Sequence, residues 1–451
     1  MVLHFEKEDL DSEEESDGGT DEGIIEKASS PGTVIGEAME TEGVNEDVAG
    51  FFIIPLVLLC FSLFGLARLQ RVMLNEPSPY LFNVIDSGAV GDGKTDDSQA
   101  FLKAWSMVCA APGPSVLDIP PKTFLLNPVT FKGPCNSTNV QVQISGNIVA
   151  PVDASAWNKD ADKGHWILFD SINGLVISGS GEINGQGSYW WNCRSDKCSS
   201  TPDAALEVRS CNNSQLKGLN FVDSPRMHVV FNHCVNVQIS QITATAPKDS
   251  PNTDGIHIAG CQYVEVMNSI IQTGDDCISI ETGSSNIYIN GVKCGPGHGI
   301  SVGSLGDSGE EDSVEQVVVS NCNFNGSMNG VRIKTWQGGS GYARGIKFQN
   351  INVNNVDHPI VIDQYYCGGN HCKNETSAVK VSNVSFINIH GTSTREDAIS
   401  LACSQTVACT DILLENIQLT TLVPGKNATS YCLNAHGTAK ASVEPPVSCL
   451  D

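Results

Sequence analysis

The chain has 451 residues, of which 40% are hydrophobic and 17% are charged, and its formal net charge is −25. Residues 1–50 hold sixteen Asp and Glu against two Lys, which leaves about −11 for the remainder. This length can bury a large core in one elongated repetitive domain or in two compact ones. A mildly acidic body argues against nucleic-acid partners, which are recognised by basic surfaces.

The first 70 residues differ in composition from the rest. Residues 1–50 are rich in Glu, Asp, Ser and Gly and poor in aromatic residues, so we expect a disordered extension. An apolar run begins at residue 51, and residues 51–69 are predicted to be a signal peptide or a membrane anchor. Arg68 and Arg71, however, bias the following chain towards the cytoplasm. Any membrane contact is expected only through residues 51–69.

Cysteines and glycosylation sequons indicate export. Cys60 lies in the apolar run, and the sixteen other cysteines are an even number suited to disulfides. The close pairs Cys193/Cys198, Cys367/Cys372 and Cys403/Cys409 lack the histidine spacing of a zinc site. Asn-x-Ser/Thr sequons occur at Asn136, Asn212, Asn325, Asn374, Asn383 and Asn427. We therefore expect a monomer secreted to the extracellular space or cell wall, or anchored to a membrane if residues 51–69 are not cleaved.

The folded body is predicted over residues 78–451. It opens with a Gly-Asp-Gly-Lys-Thr-Asp-Asp segment at residues 91–97, followed by a helical pattern over Ser98–Ala110. Asp96 or Asp97 is placed to cap this helix, because a side-chain oxygen before a helix can accept a hydrogen bond from its unpaired N–H groups. Capping and turn formation are the expected roles of these aspartates.

From about residue 140 a pattern repeats at intervals of roughly 23 to 38 residues. Apolar residues alternate, an Asn or Gly follows, and another apolar residue closes the unit, as in Val237/Ile239/Ile242. Alternation indicates strands with one buried face, and recurrence indicates stacked coils. Leucine-rich repeats and propellers recur at similar lengths, but long helical patterns and a Trp-Asp signature are missing. We predict an all-β, right-handed parallel β-helix, or solenoid, whose N-terminal end the opening helix caps.

Acids, a histidine and a basic pair, most of them flanked by small residues, occur within about 80 residues of one another. In a solenoid, residues one coil apart become neighbours on the same face, so stacking would gather these residues in one cleft. Such groups could bind an anionic sugar and cleave its glycosidic bond. The candidates are Asp254, Asp275, Asp276, His298, Arg332 and Lys334.

The adjacent residues Asp275 and Asp276 can face the same side only if the strand is interrupted. Asp275 and Asp276 are adjacent, and on a regular strand they would point to opposite sides. A turn or bulge at Gly274 would let both face the cleft. His257 lies in the same region, and we expect it to be structural.

The order Asn-Thr-Asp-Gly, Gly-Asp-Asp-Cys, Gly-His-Gly, Arg-Ile-Lys resembles the plant-type polygalacturonases, the pectinases of glycoside hydrolase family 28. The resemblance extends over residues 82–451. It implies a parallel β-helix that hydrolyses α-1,4-linked galacturonan with inversion, as in cell-wall pectin degradation or remodelling. No cofactor or metal is implied.

The resemblance also implies roles for individual residues. Asp275 would be the general acid, Asp254 and Asp276 would position and activate water, and His298 would support the acid. The substrate-binding group is implied to be Arg332, Lys334 and Tyr366. A disulfide between Cys277 and Cys294 is implied as well, clamping the coil that carries the acid pair.

Other functions stay open on the same fold. A pectate lyase would eliminate rather than hydrolyse, and it would need calcium held by several carboxylates together with an arginine base. A non-catalytic wall-binding solenoid would keep the repeats but lose the acid pair. Hydrolases of rhamnogalacturonan or xylogalacturonan share the scaffold. The pair Arg332 and Lys334 favours an unbranched acidic galacturonan, while endo or exo attack stays undecided.

Overall fold

The computed structural model describes residues 78–137, 139–152, 157, 165–192, 202–367 and 374–451. The predictions for residues 1–50 and 51–69 and for the cysteines at 193, 198 and 372 lie outside these residues. Within the described ranges, no helix has the length and apolar character that a membrane span requires.

The described chain forms a right-handed parallel β-helix, which confirms the predicted fold. Its smaller sheet has eleven strands, and strands are numbered in chain order: β5 (Val129–Lys132), β8 (His165–Asp170), β11 (Ala204–Arg209), β14 (Met227–Asn232), β17 (Ile256–Ala259), β20 (Ile278–Ile280), β23 (Ile300–Leu305), β26 (Asn329–Trp336), β28 (His358–Tyr366), β30 (Asp397–Ala402) and β32 (Thr429–Leu433).

The larger sheet has 22 strands, and most coils contribute two of them. They are β1 (Tyr80–Asn83), β2 (Asp92–Asp96), β3 (Ser115–Ile119), β4 (Thr123–Leu125), β6 (Val140–Ile144), β7 (Asn147–Val149), β9 (Leu175–Gly179), β10 (Glu182–Asn184), β12 (Ser214–Lys217), β13 (Asn220–Val222), β15 (Val235–Ser240), β16 (Thr243–Thr245), β18 (Gln262–Met267), β19 (Ile270–Gln272), β21 (Ser284–Asn290), β22 (Lys293–Cys294), β24 (Glu311–Ser320), β25 (Asn323–Asn325), β27 (Ser340–Val356), β29 (Lys380–Ser393), β31 (Cys409–Thr421) and β33 (Ala435–Glu444).

The repeats found in the sequence stack in register. Ile239 of β15 pairs with Val266 of β18, which pairs with Ile289 of β21, and Ile289 pairs with Val319 of β24. These side chains are buried, so each coil covers the apolar edge of the next. The coil of Val266 was not among the segments that the sequence pattern indicated, since its strand is followed by Asn268-Ser269 rather than by a prominent apolar residue.

Asparagines stack along one turn of the solenoid. The side-chain amide of Asn321 donates to Asn290 at 2.7 Å, and that of Asn350 donates to Asn321 at 3.2 Å. The ladder continues through Asn388 and Asn416. Asn321, Asn350, Asn388 and Asn416 have φ values of 53° to 55°, a left-handed conformation that asparagine tolerates. This explains the Asn that follows the alternating apolar residues in the repeat.

Helix α1 (Ser98–Ala110) has the bounds that the sequence predicted, and it caps the first coils. Its buried face includes Phe101, which packs edge-to-face on Phe124, and Trp105, which packs on Phe131. A second, one-turn helix, α2, spans Ser188–Trp191, and a short 3₁₀ turn spans Asp307–Gly309.

The sequence predicted that Asp96 or Asp97 caps this helix, which is confirmed for the Asp96 side chain and wrong for that of Asp97. Asp97 is the N-cap residue, but its side chain makes no capping hydrogen bond. Its carboxylate instead accepts hydrogen bonds from the N–H groups of Val90 and Gly91, at 2.7 and 3.1 Å. Asp96 accepts from the N–H of Ser98 at 3.0 Å. Asp97 therefore stabilises the preceding loop, and Asp96 accepts the hydrogen bond from the first helical residue.

The cysteines follow two patterns. Disulfides join Cys109 to Cys135, Cys277 to Cys294, Cys403 to Cys409 and Cys432 to Cys449. Against the prediction that all sixteen suit disulfides, Cys211, Cys234, Cys261 and Cys322 are buried free thiols. The first three stack between coils: the N–H of Cys211 lies 3.4 Å from the Cys234 sulfur, and the N–H of Cys234 lies 3.2 Å from the Cys261 sulfur. They act as small core residues.

Candidate active site

The candidate residues lie on the outward face of the smaller sheet. Ile256, Ile278 and Ile300 of β17, β20 and β23 pair in register, and all three are buried. Successive coils are therefore 22 residues long here. The residues two positions before these isoleucines are Asp254, Asp276 and His298. Equal coil length brings the acids and the histidine to one place, as the sequence indicated.

Asp275 and His298 form a pair. The Asp275 Oδ1 lies 2.9 Å from the His298 Nδ1, and the His298 N–H donates to the Asp275 carbonyl at 2.8 Å. Both side chains are partly exposed, at 19% for Asp275 and 31% for His298. A partly exposed carboxyl held by a ring nitrogen is placed to exchange a proton with a ligand in the cleft.

Gly274 allows the acid pair to share the cleft. The chain bends at Gly274 and Asp275 before β20 begins. A Cβ at Gly274 would lie 2.1 Å from the Ser250 carbonyl oxygen, so a side chain has no room there. The N–H of Gly274 donates to the Thr253 hydroxyl at 2.9 Å. The close approach of two coils, not a left-handed φ, is thus the reason for glycine.

Asp276 lies beneath the pair in a set of charge-assisted hydrogen bonds. Its side chain is 1% exposed, and its Oδ1 accepts from Arg332 at 2.9 Å and from the Ser301 hydroxyl at 2.8 Å. Its Oδ2 accepts from Lys334 at 2.9 Å. Burial raises the pKa of Asp276, but the Lys334 and Arg332 cations and the hydrogen bonds outweigh it and hold the pKa at about 2. Asp276 is therefore an ionised carboxylate.

The basic pair is bound to this acid. Arg332 and Lys334 alternate with buried Ile333 on β26 and point to the same side, as expected. Asp276 opposes the effect of burial and raises the pKa of both cations. The two side chains bring two positive charges, of which Asp276 balances one. The positive charge that remains for binding an anion is therefore set by Asp276. The sequence did not indicate that Asp276 pairs with these two cations.

The Asp254 carboxyl is connected to His257 through the hydroxyl of Ser279. The Ser279 hydroxyl donates to the Asp254 Oδ2 at 2.8 Å and lies 2.8 Å from the His257 Nδ1. Burial, together with the charges of Asp275 and Asp276, raises the pKa of Asp254 well above its usual value. Burial lowers the pKa of His257 to about 4, so this imidazole is neutral in mild acid.

Ser279 was missed in the sequence. Its position between buried Ile278 and Ile280 was the available signal, because alternation sends it to the outward face. His257, expected to be structural, borders the candidate site through Ser279.

Tyr366 lies at the other side of the cation pair. The Lys334 Nζ is 5.2 Å from the centroid of the Tyr366 ring, and Trp336 packs edge-to-face on the same ring at 5.2 Å. The structure therefore brings Tyr366 together with the other candidates. The Lys334 ammonium and the Tyr366 ring are at a distance typical of a cation–π contact.

Asp275, Asp276 and His298 offer ligand atoms that all lie within 4.8 Å of one another, a grouping that could hold a metal ion. Both Asp276 oxygens, however, already accept hydrogen bonds from cations. A metal ion there would meet the positive charges of Arg332 and Lys334. This arrangement fits proton transfer better than metal binding.

Paired carboxyl groups are what hydrolysis of a glycosidic bond requires, and here they lie with a histidine and a cation pair on one face of a parallel β-helix. Residues 109–443 match the model of glycosyl hydrolases family 28. The chain belongs to this family.

Relatives in two plants agree with this assignment. The chain is 50% identical over 375 residues to a probable polygalacturonase of Arabidopsis thaliana, covering 82% of this chain and 80% of the relative. It is 46% identical over 412 residues to a polygalacturonase of Malus domestica, covering 89% and 87%. The solved endo-xylogalacturonan hydrolase of Aspergillus tubingensis has a TM-score of 0.68 at 22% identity, covering 80% of this chain and 99% of that one. The last similarity shows the fold alone.

Proposed function

We propose that the chain is a polygalacturonase that hydrolyses α-1,4 bonds of polygalacturonan, the acidic backbone of pectin, with inversion of configuration. The observation that carries the proposal is the joint placement of the hydrogen-bonded pair Asp275 and His298 beside a buried carboxylate, Asp276, that binds two cations. Relatives of this chain that are named polygalacturonases support the choice of substrate.

In this proposal Asp275 protonates the glycosidic oxygen, and its contact with the His298 Nδ1 orients the carboxyl group. Asp276, ionised because Lys334 and Arg332 face it, and Asp254 orient a water molecule on the opposite side of the sugar. Inverting hydrolases usually separate the acid and base carboxyls by about 6.5–9.5 Å. Asp275 and Asp276 have oxygens within 4.8 Å of each other, so the proposed inversion rests on the resemblance to the family and not on this distance. Burial and the nearby charges of Asp275 and Asp276 raise the pKa of Asp254, so the three carboxyls lie close enough to influence one another.

Arg332 and Lys334 would bind the carboxylate of a galacturonate residue. They lie on the cleft floor at less than a tenth exposed, where ion pairs are screened weakly by solvent. Asp276 balances one of their two positive charges, and the other is available to the carboxylate of the substrate. Tyr366 beside Lys334 would support the ring of the same sugar.

Product analysis on defined substrates tests this function. The purified protein should release reducing ends from de-esterified polygalacturonan in the presence of a chelator, and NMR of the first products should show the inverted anomer. Unsaturated, ultraviolet-absorbing products that require calcium would indicate a lyase instead. Faster cleavage of xylogalacturonan or rhamnogalacturonan than of polygalacturonan would overturn the substrate assignment. Product lengths would distinguish endo from exo attack.

We also propose that residues 78–451 are the catalytic domain and that it is exported to the cell wall or extracellular space. The six sequon asparagines are exposed, so each could carry a glycan. Disulfides such as Cys109–Cys135 are typical of oxidising compartments. Expression of the full chain should give a glycosidase-sensitive mass, and N-terminal sequencing would tell a cleaved signal from an anchor. An unglycosylated product with every thiol free would contradict export.

A further inference from the structure

Glu281 is an acid on the floor of the same cleft with no role in the proposed reaction. It follows β20, in which Ile278 and Ile280 are buried and Ser279 points outward to Asp254. The same alternation places Glu281 on the outward face, one step beyond Ser279.

Glu281 and Lys334 lie on coils on either side of β23. Strand β23 pairs with β20 as far as Val302 and Ile280, and with β26 as far as Val302 and Ile333. Glu281, Gly303 and Lys334 are the residues that follow these pairs, at the point where the register between β23 and β26 shifts. A Cβ on Gly303 would lie 2.1 Å from the Lys334 carbonyl oxygen. This close approach of Gly303 to the Lys334 backbone leaves room for glycine alone and holds the two coils together, and the charges of Glu281 and Lys334 interact.

The surroundings of Glu281 oppose its ionisation at acidic pH. Burial is the largest cause and raises the pKa of Glu281, and the carboxylates of Asp276 and Asp312 add to it. Lys334 and the N–H of Ser304 act in the opposite direction, and the resulting pKa is about 7. Glu281 is therefore mostly neutral in mild acid and mostly ionised in mild alkali.

Resting on the proposed function, we propose that Glu281 is a specificity-determining residue: it competes with the substrate carboxylate for Lys334 and sets the preference for free galacturonate over its methyl ester. Asp276 balances one charge of the pair Arg332 and Lys334. An ionised Glu281 offsets the other and leaves little attraction for a uronate carboxylate, whereas a neutral methyl ester is unaffected. A protonated Glu281 leaves the charge to the substrate.

The test compares Glu281→Gln with the parent in binding, both carrying Asp275→Asn to suppress turnover. At about pH 8, Glu281→Gln should bind trigalacturonate about three- to tenfold more tightly, with little change for its methyl ester. At about pH 5 the two proteins should bind both ligands alike, because Glu281 is then neutral in the parent. Glu265→Gln, at an exposed position of β18, removes the same charge elsewhere and should change neither affinity.

Two further outcomes separate the inference from the proposed function. An equal gain for the acid and the ester, or no gain at about pH 8, would overturn the role of Glu281. A parent chain that binds trigalacturonate but does not cleave polygalacturonan would overturn the proposed activity and leave the binding comparison valid. If Glu281→Gln fails to fold, the parent alone should still lose preference for the acid over the ester as pH rises through about 7.

Discussion

The Asp276 Oδ2 lies 2.9 Å from the Lys334 Nζ, although 58 residues separate them in the chain. Arg332 contacts the other oxygen of the same carboxylate at 2.9 Å. This buried set ties the coil of the acid pair to the coil of the cations, two coils further on. Asp276 consequently holds both cations in place as well as contributing its own carboxylate.

Replacing Asp276 should therefore destabilise the fold as well as stop the reaction. Asp276→Asn leaves two buried cations without their anion, and breaking a buried ion pair in this way costs about 3–5 kcal/mol. Equilibrium unfolding in urea at about pH 6 measures the loss of free energy of unfolding. Asp275→Asn, whose partner is a partly exposed histidine, is the matched control and should cost about 1 kcal/mol or less. Equal losses in the two variants would contradict the anchoring role of Asp276.

The stabilisation by Asp276 should depend on pH in a defined direction. Its pKa is lowered from 3.8 to about 2 in the folded chain. A carboxyl with a lowered folded pKa contributes stability above its unfolded pKa, and this stability is lost as pH falls through the folded value. The difference between the parent and Asp276→Asn should thus be constant above about pH 5 and shrink between about pH 4 and 2. A difference that stays constant down to about pH 2 would show that the lost contacts are not ionic.

Asp275→Asn should abolish catalysis while leaving the fold intact. An amide cannot donate the proton that the leaving oxygen needs, and loss of a general acid costs about 10²- to 10⁴-fold in turnover. Initial rates on polygalacturonan and the thermal midpoint provide the two readouts. Asp86 is an exposed turn residue far from Asp275 in the sequence, so Asp86→Asn is the control and should be fully active. Retention of more than about a tenth of the parent activity would remove Asp275 from this role.

Much of the fold followed from the sequence because stacking repeats a local pattern. Alternating apolar residues such as Val317 and Val319 indicated the strands. The spacing of Asp254, Asp275 and His298, each about one repeat apart, predicted that they share one face, and coils of 22 residues bring them there. Alternation also placed Arg332 and Lys334 on one face. It could not show that they bind Asp276, because a face can direct a cation to solvent, substrate or another coil equally well.

Two other differences between the sequence predictions and the structure also come from contacts between coils. Cysteine parity predicted disulfides, but a thiol in a stacked core column, such as Cys234, looks the same in the sequence as a paired one. Ser279 and Glu281 carry no motif of their own, and their importance comes from neighbours contributed by other coils. Contacts between coils depend on the length of each intervening turn, which the repeat pattern leaves variable.

Ser279→Ala should shift the pH profile rather than abolish activity. The Ser279 hydroxyl donates to Asp254 and lowers the pKa of a carboxyl that burial and its neighbours raise. Without this hydrogen bond the pKa of Asp254 rises further, so Asp254 becomes protonated in less acidic solutions than before. If Asp254 acts as an ionised base, the acidic limb of kcat/KM should move to higher pH, with kcat at neutral pH changed by less than about tenfold. Ser285→Ala, on the other sheet, should leave the profile unchanged.

Arg332→Ala should weaken binding and slow the reaction together. Arg332 faces the cleft and positions Asp276, so its loss should raise KM for trigalacturonate and lower kcat, about 100-fold in kcat/KM. The parent's activity should also fall as salt rises, since salt screens attraction between the cations and a polyanion. Arg344→Ala is a suitable control, because Arg344 forms an exposed ion pair with Glu315 on the larger sheet. This variant removes the same charge from the chain and should retain the parent's KM, kcat and salt dependence. Trigalacturonate kinetics that are alike in Arg332→Ala and Arg344→Ala would show that net charge, rather than the cation beside Asp276, attracts the substrate.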